Sequence, residues 1–180
     1  KSLVAYAQGT PELMQWLHRN QLVEFRKIDT VVNPKTISQN DHCVVIIPAY
    51  KVDLTGAIAL HASSKSLSAG PSDYYEFLDG AAQSAGGYNI FALPSRGRDG
   101  ESNILSSVDK FPNQFSTELI DIVVTEYGIA RLGGRSLRER TLAVIDIAHP
   151  NDRDSLIGVA KNLKLLYSSP FAGVSSFWSK

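Results

Sequence analysis

The stretch Val123–Asp152, VVTEYGIARLGGRSLRERTLAVIDIAHPND, decides how this chain is read. It opens on an apolar strand, turns at Glu126-Tyr127-Gly128, crosses a loop at Gly133-Gly134 and enters a helix that stops at Ala148-His149-Pro150. The helix start is explicit. Ser136 as N-cap and Glu139 three residues later form a capping box, worth about 1 kcal/mol. Leu137, Val144, Ile145 and Ala148 fall on one helical face, with Arg138 and Arg140 off it. Pro150 disfavours helical geometry at His149, so one helix is predicted over 136–149 and a second over 151–165. Held at that corner, His149 reads as a satisfied structural histidine rather than a base.

The same alternation runs through the rest of the chain. Leu3–Ala7 is a short strand, and Thr10-Pro11 starts a helix carrying Leu13, Trp16 and Leu17 on one face. Val23–Ile28 alternates as a half-buried strand, Asn33-Pro34 reads as a turn, and residues 37–41 read as a loop. Cys43–Ile47, apolar throughout, suits a central strand covered on both faces. Val52–Leu60 reads as one strand with a bulge at Gly56. A helix over 73–84, closed by Gly86-Gly87, leads to a buried strand at Asn89–Leu93 and the polar loop Ser95–Gly100. Ile120–Thr125 is the last strand. These alternations predict an α/β layered fold, with an open, mixed or largely parallel sheet flanked by helices. Residues 1–167 read as one domain, and the tail 168–180, with Phe171, Phe177 and Trp178, is expected to dock against a neighbour.

Bulk properties narrow the function classes. The chain has 180 residues, and its 18 basic and 18 acidic side chains cancel, leaving no electrostatic signature for nucleic acid or a membrane surface. Cys43 is the single cysteine, which reads as a small core residue and favours a reducing cytoplasm. The first residue is Lys1, and the sequence is taken as a piece of something longer. The four histidines are scattered without metal-ligand spacing, and no nucleophile elbow, dinucleotide fingerprint or P-loop is present.

Four segments carry candidate chemistry. Glu126 sits where a buried strand leaves the sheet, the edge at which such folds bind ligands. It could serve a reacting carboxylate there, or pair with Arg131, Arg135 or Arg138. Gly70-Pro71-Ser72-Asp73 precedes a helix whose free N–H groups suit a phosphate or an oxyanion, although Asp73 and Glu76 also form a capping box. Ser95, Arg96 and Arg98 lie in a loop whose guanidinium groups suit phosphate or simply face solvent. Gln39-Asn40-Asp41 offers neutral amides for an acyl carboxylate, or for bonding its own turn.

The order and spacing of T-E-Y-G at 125–128, S-L-R-E-R at 136–140, A-L-P-S at 92–95, Q-N-D at 39–41 and D-L-T-G at 53–56 resemble the C-terminal domain of the acetyl-CoA hydrolase/CoA-transferase family. That family includes 4-hydroxybutyrate and succinate:acetate CoA-transferases. The resemblance implies one half of a tandem NagB/RpiA/CoA-transferase-like pair, with the active site between the halves. It implies coenzyme A as substrate, no metal, and a covalent route through a glutamate that precedes the segment aligned with Lys1. Glu126 would then orient or tune that nucleophile. Gly70, Ser72, Asn40, Ser95, Arg96, Arg98, Tyr127 and Gly128 would line the substrate and CoA site. The implied partners are an acyl-CoA, a small carboxylate and the N-terminal domain of the same protein, with a homodimer also allowed and neither nucleic acid nor membrane involved. Two departures mark a divergent subgroup. Gly70–Phe77 keeps one glycine where relatives read G-x-G-G-Q-x-D-F, and Tyr88 replaces a turn lysine. Transferase, hydrolase and a non-catalytic CoA-binding or partner-binding module therefore stay open, while a sugar-phosphate isomerase is disfavoured by T-E-Y-G and S-L-R-E-R.

Overall fold

A computed structural model describes residues 1–61, 74–111, 114–115 and 117–166. The described residues form two compact units, one drawn from 1–45 and 74–89, the other from 46–61 and the described residues between 90 and 166.

In the first unit, β1 (Ser2–Val4) pairs in parallel with β2 (Val23–Phe25), joined through α1 (Pro11–Leu17). Thr10 caps α1 by accepting from the Leu13 N–H at 3.4 Å, with Pro11 at the first helical position. The apolar residues predicted for its inner face are not buried: Leu13 is 36% and Trp16 56% exposed. The strand expected over 23–28 stops at Phe25, and Ile28 instead opens the short α2 (Ile28–Val31). Asn33-Pro34 is not a free turn either. Asn33 accepts from the Lys35 N–H at 3.0 Å and caps α3 (Pro34–Ile37), so a helical turn stands where a turn and loop were expected. Against α3 lies α4 (Tyr74–Gln83). Gly80 permits that approach, because a Cβ there would sit 2.6 Å from the Ile37 side chain. Gly86, with φ +71°, turns the chain after α4 as the sequence anticipated.

The larger sheet has the order β10-β9-β6-β3. Its strands are β3 (Val44–Pro48), β6 (Tyr88–Ala92), β9 (Ile122–Thr125) and β10 (Gly128–Arg131). β6 and β9 run parallel, β9 and β10 antiparallel, so the sheet is mixed. The apolar run at 43–47 is not a central strand. Among the described residues β3 is terminal in the sheet order; Val44 and Ile46, which share one face, are 49% and 66% exposed, and Cys43 is half-buried.

A second four-stranded sheet in the second unit has the order β7-β4-β5-β8. It comprises β4 (Lys51–Asp53), β5 (Ile58–Ala59), β7 (Ile104–Leu105) and β8 (Gln114–Phe115). The strand expected over 52–60 is thus a hairpin. Asp53 folds it: Oδ1 accepts from Thr55 N at 2.8 Å, Thr55 Oγ1 at 2.6 Å and Ala57 N at 3.1 Å. Gly56 completes the turn at φ +87°, with Leu132 so close that a Cβ would meet it at 2.6 Å. Two helices follow the sheets, α5 (Leu137–Asp146) and α6 (Pro150–Asn162). Val144, Ile147, Ala148 and Ala160 are buried with Phe91, Val123 and Leu132 in this unit's core. Burying a side chain such as Phe91 is worth roughly 2–3 kcal/mol. Leu137, placed on the buried face by its spacing, stays half exposed in the first turn of α5.

Candidate active site

The parallel pairing of β6 with β9 matches Ile90 with Ile122, Phe91 with Val123 and Ala92 with Val124, so both strands end at the same edge. Leu93 N donates to Val124 O at 3.1 Å, carrying the pairing one residue further. Beyond that edge the chain after β6 delivers Pro94-Ser95, and the chain after β9 delivers Glu126. They meet directly. The Ser95 N–H donates to Glu126 Oε2 at 2.8 Å, and the Ser95 hydroxyl donates to Oε1 at 2.5 Å. Ser95 is fully buried, whereas Glu126 is exposed, so a carboxylate faces outward while both its oxygens are gripped from beneath.

Glu126 is presented by a two-residue hairpin, because Thr125 pairs with Gly128 across β9 and β10. Gly128 has φ +149°, a conformation side-chain-bearing residues rarely adopt. Thr125 braces the hairpin from within: its hydroxyl donates to Ile147 O at 2.6 Å and accepts from the Tyr127 N–H at 3.1 Å. Tyr127 meets the His149 ring edge-on, with centroids 5.3 Å apart. His149 Nδ1 accepts from the Asn151 N–H at 3.2 Å and caps α6, the structural role its corner position suggested.

On the other side, Asn103 secures the loop that carries Ser95. Its N–H donates to Ser95 O at 2.8 Å, its amide donates to Pro94 O at 2.7 Å, and its Oδ1 accepts from Lys51 Nζ at 2.6 Å. Both Asn103 and Lys51 are buried. Arg96 reaches α6, donating from Nε to Asp152 Oδ2 at 2.9 Å and from Nη2 to Oδ1 at 2.5 Å. Arg98 is exposed and forms no ion pair among the described residues.

The electrostatics favour an ionised Glu126. Burial works to raise its pKa, but the Ser95 hydroxyl and N–H, with the nearby His149, outweigh it and hold the carboxyl below its ordinary value. Asp152 is lowered mainly by its hydrogen bonds from Arg96, and the Arg96 guanidinium is raised in turn. An ionised carboxylate at neutral pH can orient a reacting group or modulate a neighbouring acid; it does not donate a proton there.

The sequence candidates therefore separate. Ser95, Arg96, Glu126, Tyr127 and Gly128 converge on one strand edge, and Glu126 bonds Ser95 rather than Arg131, Arg135 or Arg138. Asn40 belongs to the first unit, where its amide donates to Ile37 O at 3.0 Å and to Thr36 O at 3.4 Å. It also lines a cavity of about 650 Å³ with Leu3, Ile37, Cys43 and Phe77. Gly70, Ser72, the Asp73 cap and the tail 168–180 lie outside the described residues. Asn103, Lys51 and Asp152 were not singled out from sequence, since their partners are about 50 residues away along the chain. A second cavity, about 490 Å³, opens at the amino end of β9 between Thr55, Asp121, Gly133, Gly134 and Arg140. Its Arg140 guanidinium is engaged by Thr117 O, Ile120 O and Leu132 O. Among the described residues no group of three His, Cys, Asp or Glu side chains could hold a metal, and no helix is long and apolar enough to cross a membrane.

Known proteins share this arrangement of sequence and fold. The chain is 35% identical to the 4-hydroxybutyrate coenzyme A transferase of Clostridium kluyveri, over 89% of its own length and 38% of the relative's. It is 32% identical to the succinyl-CoA:acetate/propanoyl-CoA:succinate CoA transferase of Fasciola hepatica, over 94% and 36%. Among solved structures, RipA from Yersinia pestis superposes with a TM-score of 0.82 at 33% identity, covering 92% of this chain and 38% of RipA. A 4-hydroxybutyrate CoA-transferase from Porphyromonas gingivalis gives a TM-score of 0.71 at 33% identity, over 89% and 37%. The chain thus spans somewhat over a third of the length of these relatives. Residues 9–160 match the acetyl-CoA hydrolase/transferase C-terminal domain, and the chain belongs to that family.

Proposed function

We propose that this chain is the C-terminal part of an acyl-CoA:carboxylate CoA-transferase or acyl-CoA hydrolase that works through a glutamyl-CoA thioester. The observation that carries the reading is the exposed Glu126 carboxyl held at both oxygens by Ser95, at the carboxyl edge of β6 and β9. The nucleophilic glutamate is assigned to the protein's N-terminal part, which fits the chain spanning 38% of its first relative. Its carboxylate oxygen attacks the acyl-CoA carbonyl carbon, and collapse of the tetrahedral oxyanion expels CoA thiolate, leaving an acyl-glutamyl anhydride. The thiolate then attacks the glutamyl carbonyl and releases the acyl carboxylate, leaving a glutamyl-CoA thioester. In transfer, an acceptor carboxylate attacks that thioester, and the thiolate expelled attacks the acceptor's acyl carbon to give new acyl-CoA. In hydrolysis, water attacks and CoA leaves.

Glu126 contributes by charge. A fixed negative group beside the nucleophile disfavours its ionisation, raising its basicity and its strength as an attacking group. Tyr127 and Gly128 are assigned to the acyl end, with Ser95 acting beneath the carboxylate. Arg98 is the loop cation suited to a CoA phosphate. The single cysteine is in keeping with a cytoplasmic setting. The 180 residues alone are expected to show no turnover, for want of the nucleophile.

The test is borohydride reduction of the full-length protein in the presence of acyl-CoA. Reduction of one glutamate to its alcohol, found by peptide mass and located before the segment aligned with Lys1, supports the covalent route. Full-length protein that binds acyl-CoA without any reducible glutamate would point instead to a CoA-binding module, the reading that fits the lone glycine of Gly70–Phe77.

A further inference from the structure

The two loops that bring Ser95 and Glu126 together are both fastened to one place, the corner at which α6 begins. The hairpin bearing Glu126 is tied there by the Thr125 hydroxyl on Ile147 O at 2.6 Å and by the Tyr127–His149 ring contact. The loop bearing Ser95 is tied there by the forked Arg96–Asp152 pair. Asp152 is the third residue of α6, so its backbone is rigid and its N–H is bonded to His149 O at 2.9 Å. Arg96 directly follows Ser95, so a rotation of the loop about that pair would carry the Ser95 N–H and hydroxyl away from Glu126.

We propose that Arg96 and Asp152 are positioning residues for the Glu126 carboxylate: with Asn103 holding the Pro94 and Ser95 carbonyls from one side, the ion pair fixes the loop from the other, and the loop sets the two Ser95 donors. This rests on the covalent reading above and deepens it, moving Arg96 from ligand contact to brace. The forked pair commits the Nε and Nη2 donors of Arg96 to Asp152 and so fixes the guanidinium plane against α6, whatever its remaining N–H groups meet. The pair's side chains are 32% and 19% exposed and meet at two points, so the pair bears on stability as well as on placement, and Tm has to be read beside the rate. Misplacing a catalytic group by a fraction of an ångström slows chemistry without weakening binding in proportion.

The experiment is a double-mutant cycle in the full-length protein: Arg96→Gln, Asp152→Asn and both together. Its readouts are the rate of borohydride-trappable glutamyl-CoA formation, the KM for acyl-CoA, and Tm. Each single variant is expected to slow thioester formation about tenfold, with KM within about twofold. The double variant is expected to be no slower than the slower single one, since both remove the same contact. Asp152→Glu, which keeps the charge and the favourable acid in the first turn of α6, should recover most of the rate. Unchanged rates would overturn the proposal, as would additive losses. A KM increase in Arg96→Gln with kcat intact would also overturn it and return Arg96 to the phosphate site. Loss of rate accompanied by a large fall in Tm, with no recovery in Asp152→Glu, would reduce the pair to ordinary fold stability. Absence of trapped glutamate in the unsubstituted protein is a separate result that sinks the covalent reading itself.

Discussion

Ser95 gives Glu126 two donors of different kinds, and they separate experimentally. Ser95→Ala removes the hydroxyl bond at 2.5 Å and keeps the backbone bond at 2.8 Å. The Glu126 carboxyl should then drift up toward its ordinary value, and turnover of the full-length protein should fall by about tenfold or more. Glu126→Gln, which removes the charge altogether, should lose more; equal activity of Glu126→Gln and the parent would end the case for a charge effect. The same depressed carboxyl makes a stability statement. Its folded pKa lies below the unfolded one, so the unfolded chain binds more protons between the two values and stability rises with pH across that window. The contribution is complete above the unfolded value and is lost as pH falls through the folded one. Asp152 behaves the same way through Arg96. Acid titration of stability in Glu126→Gln should therefore have a shallower slope below about pH 4.5 than the parent. Superimposable slopes would show that the Ser95 bonds form equally well to a neutral carboxyl.

At the scale of elements, capping chemistry was written in the sequence and long-range pairing was not. Ser136 and Glu139 satisfy each other as a capping box, with Glu139 Oε2 accepting from Ser136 N at 2.9 Å and from Ser136 Oγ at 2.7 Å. Ser136→Ala should cost about 1 kcal/mol and lower Tm by roughly 2–4 °C. A change below 1 °C in thermal melts would mean that water replaces the cap freely. The strands β6 and β9 were legible because each is a short apolar run closed by a turn. β10 was not, since Gly128-Ile129-Ala130-Arg131 is short, glycine-led, and entered through Glu-Tyr rather than a familiar hairpin pair. The hairpin of β4 and β5 was hidden for a related reason. Its turn is made by the Asp53 carboxylate and a positive-φ Gly56 inside an otherwise strand-like run. Gly56→Ala combines that backbone conformation with a 2.6 Å approach to Leu132, and should destabilise by more than about 1 kcal/mol. The site was half legible. Glu126, Ser95 and Arg96 could be nominated by type and position, but which of them meet, and that Arg96 meets Asp152, depends on strand order and register.

Over the whole molecule, burial is distributed unevenly between the two units, and this sets where the chain opens first. α1 and α2 bury no residue, and Trp16, Leu22, Phe25 and Ile28 are each at least half exposed. In the second unit Phe91, Val123, Leu132 and Val144 are wholly shielded. Opening free energy scales with the apolar contact that must be broken, so the elements within 1–31 should open at little cost while β6 and β9 open only with the unit. Hydrogen exchange of the 180-residue chain should find amides of α1 and α2 exchanging through local opening, with protection at least about a hundredfold below that of Phe91 and Val123. Mild denaturant should leave the first group unchanged and accelerate the second, because only global opening exposes new surface. Equal protection of both regions, with equal denaturant dependence, would mean that the β1–β2 pair and its helices unfold only with the core. The Ser95–Glu126 edge rises directly from β6 and β9, so the carboxylate that the proposed chemistry needs is carried by the part of the chain least inclined to open.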